Sequence, residues 1–160
     1  MKRFILFLLL TCVPAVTAFA AQPGGIGLGV ILGEPTGVSF KTWIGERTAI
    51  DAAAAWSFSD HTSFQFHADY LIHPFPMPKP RDVRGPILFY YGFGGLIDVR
   101  GGTGSHRDET VVGARFPLGF SHLLVSAPVE FFAEIAPVLD LAPSTKADLN
   151  AAIGARYYFK

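Results

Sequence analysis

Ten charged or titratable side chains recur at alternate positions of otherwise apolar or small-residue segments: Lys41, Asp51, His67, Asp69, Asp98, Arg100, Arg115, Glu130, Glu134 and Arg156. Setting His67 aside, four cations stand against five anions. Such near-balance points to mutual pairing, because an unpaired charge inside a protein is expensive. Lys41 and Asp51 fall on successive segments, with Asp69 on the next. Arg115, Glu130, Glu134 and Arg156 fall on three further consecutive segments. The predicted site is a lumen charge network of Lys41, Asp51, His67, Asp69, Asp98, Arg115, Glu130, Glu134 and Arg156. It reads as a salt-bridged plug, against the alternative of a narrow polar conduit.

Other chemistry has thinner support. Nucleophilic hydrolysis needs a Ser, a His and an acid converging on one point. Asp60, His61 and Ser63 are the compact set, but Asp and Ser at a turn usually bond their own backbone. Ser121 and His122 are adjacent, so on a strand they point to opposite faces. His67 and Asp69 share a face about 7 Å apart along a strand, yet no third residue has a metal-ligand spacing. Gly101-Gly102-Thr103-Gly104 lacks the following Lys-Ser/Thr and the helix of a phosphate-binding loop. Pro74, Pro76, Pro78 and Pro80 alternate beside Lys79, Arg81 and Arg84. This extended basic stretch suits a partner or anionic lipid headgroups, or is simply a stiff exposed loop. No enzyme activity, cofactor or metal is predicted.

The elements that must hold the charged row are strands. Residues 25–33, 36–45, 48–58, 62–72, 86–99, 110–118, 128–139 and 148–159 alternate with period two, which gives each strand two unlike faces. Glu34-Pro35-Thr36, Gly45-Glu46-Arg47 and Ser59-Asp60-His61 are turn sequences. Longer connections are expected at 73–85, 100–109, 119–127 and 140–147. Nothing reads as a long amphipathic helix. One row carries Ile26, Leu28, Val30, Leu32, Val38, Phe40, Trp56, Phe64, Phe66, Phe93, Ile97, Phe116, Leu118, Phe131, Ile135, Ile153, Tyr157 and Phe159, with no charge in it. The other row carries the ionic set, separated by Gly and Ala.

Volume decides which row faces inward. An eight-stranded barrel has an interior just wide enough for side chains. The aromatic row would overfill it, whereas Gly, Ala and a few long charged groups fit. The apolar row therefore faces outward, against lipid, as outer-membrane barrels do. Trp56, Phe58, Tyr70, Tyr157 and Phe159 lie near strand ends and suit interfacial girdles.

The ends and the composition agree with export. Lys2 and Arg3 precede the apolar run Phe4 to Leu10, and Ala18-Phe19-Ala20 is a signal-peptidase site, so residues 1–20 read as a signal peptide cut before Ala21. Thr11 before Cys12 departs from a lipobox. Cys12 is the sole cysteine, so residues 21–160 hold no disulfide or thiol. Removing Lys2 and Arg3 leaves a net charge of −2, which gives no electrostatic reason for nucleic-acid binding. Charged residues make up 16% of the chain, against about 25% in soluble domains. No stretch after the signal has the roughly 18 apolar residues of a membrane helix, so any crossing must be a closed barrel.

With these features the chain resembles the small eight-stranded bacterial outer-membrane barrel superfamily, of the OmpX and OmpA-barrel type. The resemblance rests on the signal, the eight alternating segments and the closing Gly154-Ala155-Arg156-Tyr157-Tyr158-Phe159. The phrases Val112 to Gly119 and Ile153 to Tyr157 look like small-barrel families without assigned function. Superfamily members end in an aromatic residue; here Lys160 follows Phe159. The resemblance implies an all-β, eight-stranded antiparallel up-and-down transmembrane barrel over residues 21–160, a monomer in the outer membrane of a diderm bacterium. Its partners would be outer-membrane lipid and the barrel-insertion machinery, and its role structural or adhesive through loops. The alternative is a soluble periplasmic or secreted lipocalin-like barrel that binds a hydrophobic ligand in an apolar interior. Both chain ends would lie on the periplasmic side, where the long 73–85 and 119–127 connections are out of place.

Overall fold

A computed structural model describes residues 25–34, 36–57, 63–78, 80–100 and 109–159. The expected signal segment and cleavage point, Pro35, Phe58, the expected turn at Ser59-Asp60-His61, Lys79, the glycine run 101–104 and Lys160 lie outside these residues. The chain forms β1 (Ile26–Gly33), β2 (Gly37–Trp43), β3 (Thr48–Ser57), β4 (Ser63–Ile72), β5 (Ile87–Arg100), β6 (Glu109–Arg115), β7 (Leu118–Leu123), β8 (Val129–Ala142) and β9 (Lys146–Phe159). All pairings are antiparallel, and β1 pairs with both β2 and β9, so the sheet closes into a ring.

The ring has eight staves rather than nine. β6 pairs with the later half of β5 and of β8, while β7 pairs with their earlier halves. The two are one stave interrupted at Phe116-Pro117. Proline has no N–H to give the ladder, so the regular ladder is interrupted here. The backbone nevertheless stays in line: Gly92 N donates to Pro117 O at 2.9 Å and Phe116 N donates to Pro137 O at 3.0 Å. The expected end of the sixth strand at 118 and the long 119–127 connection are therefore corrected. The stave runs on to Leu123, leaving only 124–128 as a turn. The 140–147 connection likewise shrinks to 143–145.

We call the end of the barrel that holds Ile26 and Phe159 the near end. Turns 44–47 and 124–128 and the longer segment 73–86 lie there. The short 143–145 connection lies at the far end.

The two faces separate as the volume argument requires. Ile26, Leu28, Val30, Leu32, Phe64, Phe93, Phe116, Phe131, Ile135 and Phe159 are exposed on the outer wall, and Ile153 is 61% exposed. Most residues of the alternating row are buried or half-buried. Inside, Ile31, Ala53, Phe132 and Ala152 form one apolar cluster. A second, nearer the near end, joins Ala49, Leu71 and Tyr90, with Trp43 against it. Between the two lie the charged residues.

Candidate functional site

Register places the charged row. Lys41 faces Asp51, Asp51 faces Asp69, Asp69 faces Gly94 and Gly94 faces Arg115, in one belt across β2 to β6. Glu130 and Glu134 on β8 and Arg156 on β9 enter from the opposite wall. All seven charged groups are buried, Lys41 completely. On β2, β3 and β4 each belt residue has an apolar neighbour toward the near end, namely Trp43, Ala49 and Leu71.

The ions form two clusters. In the first, Lys41 Nζ donates to Glu130 Oε1 at 2.7 Å. Arg156 Nη2 pairs with Asp51 Oδ2, and Arg156 Nη1 lies 3.6 Å from Glu130 Oε2. Tyr158 OH donates to Glu130 Oε2 at 2.7 Å, and Arg156 Nε donates to Ser39 Oγ at 2.8 Å. Two cations and two carboxylates cancel here. The Arg156 guanidinium also stacks 3.8 Å over the Phe132 ring, a cation–π contact strengthened by exclusion of water. In the second cluster, Arg115 Nε donates to Asp69 Oδ2 at 2.8 Å and Arg115 Nη2 pairs with Glu134 Oε1. One guanidinium holds two carboxylates. Tyr90 OH donates to Glu134 Oε2 at 3.0 Å, and His67 Nε2 lies 3.9 Å from Asp69 Oδ2. The Tyr90 hydroxyl takes up part of the Glu134 charge, whereas His67 stands beside Asp69 beyond hydrogen-bond distance.

Glycine makes the long reaches possible. Arg156 faces Gly29, which faces Ser39, so the guanidinium crosses a bare strand to reach Ser39 and Asp51. Arg115 reaches Asp69 over Gly94 by the same device. Tyr90 reaches Glu134 over Gly119, where a Cβ would lie 2.5 Å from the phenol oxygen. A side chain on any of these strands would occupy the path of the ion above it. The Gly and Ala of the inner row are thus as much part of the site as the charges.

Eight of the nine predicted network residues are buried in the lumen. Asp98 sits half-buried toward the far end of the same inward row, opposite Gln65 and Val111. Neighbours in register are not always partners: Lys41 and Asp51 face each other, yet Lys41 pairs with Glu130 and Asp51 with Arg156. His67 and Asp69 do come together, and among the described residues no three His, Cys, Asp or Glu side chains could hold a metal ion.

Sequence reasoning missed Tyr90, Ser39 and His73. The parity of β2 and β5 was enough to turn Ser39 and Tyr90 inward, since Phe40, Phe89 and Tyr91 face out. His73 had no such signal, because it follows the strand and precedes Pro74. The basic 73–85 connection is anchored to the barrel. Pro76 bridges Leu88, Met77 N donates to Ile87 O at 2.7 Å, and a turn closes between Val83 N and Pro80 O at 3.1 Å. Comparison with known proteins found no matching family model, no matching curated protein and no matching solved structure.

Proposed function

We propose that this chain is a monomeric, non-enzymatic integral β-barrel of a bacterial outer membrane, with a structural or adhesive role carried by its loops. One observation supports this above the others: the outer wall is a continuous apolar band while Lys41, Asp51, Asp69, Arg115, Glu130, Glu134 and Arg156 are enclosed. Soluble monomers rarely expose contiguous apolar patches beyond a few hundred Å². Here Leu28, Val30, Phe66, Phe93, Phe120, Phe131 and Ile153 face outward around the ring. In lipid the same surface is favourable. Among the described residues no helix is long and apolar enough to cross a membrane, so a crossing by these residues is made by strands. Closure satisfies the backbone, as a bilayer demands.

The interior supports a plug over a conduit. Eight staves leave room only for side chains, and the paired ions fill it between apolar layers. It also weighs against the lipocalin-like alternative, which needs an apolar cup where this barrel holds Lys41, Arg115 and Arg156. Fractionation tests the reading. The protein should sediment with the outer membrane, resist carbonate extraction and shift on a gel when boiled. Recovery in the soluble periplasm would end it. The Asp60, His61 and Ser63 trio has its own test: lipid hydrolysis that disappears in Ser63→Ala would replace the non-enzymatic reading.

A further inference from the structure

The segment after β4 does not cross directly to β5 but turns into the mouth of the barrel. His73 N donates to Arg47 O at 2.7 Å, and Arg47 Nη1 donates to Pro74 O at 3.2 Å. Phe75 points outward and stacks 6.2 Å from Phe89, and Met77 N bonds Ile87 O. Between these anchors the His73 side chain is fully buried. Its ring lies 4.4 Å from Trp43 and 5.4 Å from Tyr90, and together the three close the near end of the lumen over the charge belt.

One contact makes this closure conditional. His73 Nε2 lies 3.2 Å from Lys41 Nζ, and Lys41 is itself bonded to Glu130 at 2.7 Å. An ammonium has no lone pair. Nε2 must therefore be the acceptor, and the ring must be neutral with its proton on Nδ1. A second proton would set an imidazolium against the ammonium in a site shielded from water. The charged and titratable groups around the ring are Lys41 from β2, Tyr90 from β5, Glu130 from β8 and Arg156 from β9, with the Arg47 carbonyl from the turn. Cations outnumber the one carboxylate.

We propose that residues 73–77 are an acid-released stopper, expelled from the near mouth of the barrel when His73 takes a proton. The proposal stands whether the outer wall meets lipid or water. Burial, reinforced by Lys41, holds the docked imidazole down to about 3 from its ordinary 6.5. The docked form thus binds fewer protons than the released form. Docking is at full strength above about pH 6.5 and weakens by about tenfold per pH unit below it, until the docked ring itself titrates.

A spin label tests this on the folded chain in detergent micelles, with Cys12→Ser and Met77→Cys providing a single thiol. The spectrum should be broad at pH 7 and narrow as the pH falls to 3.5, while the β-sheet circular dichroism holds. His73→Gln supplies an amide oxygen that accepts from Lys41 without titrating, so its label should stay broad throughout. If that variant does not fold, Lys41→Met removes the facing cation and should move the narrowing at least one pH unit lower. A label that stays broad in the parent overturns the proposal. So does equal narrowing in His73→Gln, which would place the trigger on carboxylates, or an unmoved transition in Lys41→Met. Loss of the sheet signal at the same pH overturns it too, because the event would then be unfolding.

Discussion

The inner and outer faces of this barrel are written on the same strands, one residue apart, and they obey opposite rules. Gly94 and Gly95 show it in adjacent positions. A Cβ on Gly94 would collide with Asp69 and the Ala68 carbonyl, whereas at Gly95 the nearest atom would be Gly113 O at 3.6 Å. Inside, position and partner are specified atom by atom, because each ion must meet its counterpart over a particular glycine. Outside, the wall asks only for apolar character. Exactness therefore belongs to the face that no solvent touches, and the tolerant face is the one that meets the surroundings.

Breaking the inner face should have the largest effect. Arg156→Leu removes the partner of Asp51, half the neutralisation of Glu130 and the donor to Ser39. Stranding one member of a buried pair costs about 3–5 kcal/mol. Urea titration of the refolded barrel, followed by tryptophan fluorescence, should show a midpoint lowered to match. Adding Asp51→Asn removes the stranded charge, so the double variant should recover part of the loss. An unchanged midpoint in Arg156→Leu would refute the network as a source of stability.

The outer face offers the next effect, and it separates lipid from water. Ile153 lies midway along β9 and is 61% exposed. On a lipid-facing wall Ile153→Lys should cost about 2–4 kcal/mol, as basic residues do near a bilayer midplane. On a wetted wall the same change should fall within about 0.5 kcal/mol of neutral. Unfolding from phospholipid vesicles measures the difference. A neutral result there would undo the membrane reading while leaving the inner network intact.

This contrast also explains how much could be read from the residues alone. Period two is a local property, so both faces and all eight staves were legible, down to the inward parity of Lys41, Asp51, His67, Asp69, Arg115, Glu130, Glu134 and Arg156. Pairing is not local. Lys41 meets Glu130 across β1 and β9 because the sheet curls and long side chains span the lumen, and nothing in the spacing carries that curvature. The sixth stave departs in a different way: its alternation was followed through Pro117 but only to 118, whereas the stave runs on to Leu123. His73 was hidden because a residue before proline favours extended or turn backbone, which disguised an inward-facing side chain as connection.

A smaller effect should come from the two glycines. Gly94→Ala overpacks the passage between Arg115 and Asp69 and should cost about 1–3 kcal/mol. Gly95→Ala should lie within about 0.5 kcal/mol of the parent. Equal losses at the two sites would mean that strand conformation, rather than the ion above Gly94, sets the requirement for glycine.

The smallest effect should come from an ion pair on the wrong side of the comparison. Lys146 Nζ lies 3.1 Å from Asp148 Oδ2, a separation close to that of Lys41 and Glu130, but both side chains are more than half exposed. Water and salt screen such a pair, and its removal is worth about 0–1 kcal/mol. Lys146→Ala should therefore leave the unfolding midpoint within error, and raising the salt should not change that. Lys41→Met, which strands the buried Glu130, should behave like Arg156→Leu instead. Distance is nearly the same in the two pairs, so the contrast between these variants isolates burial as the quantity that gives the inner row its hold on the fold.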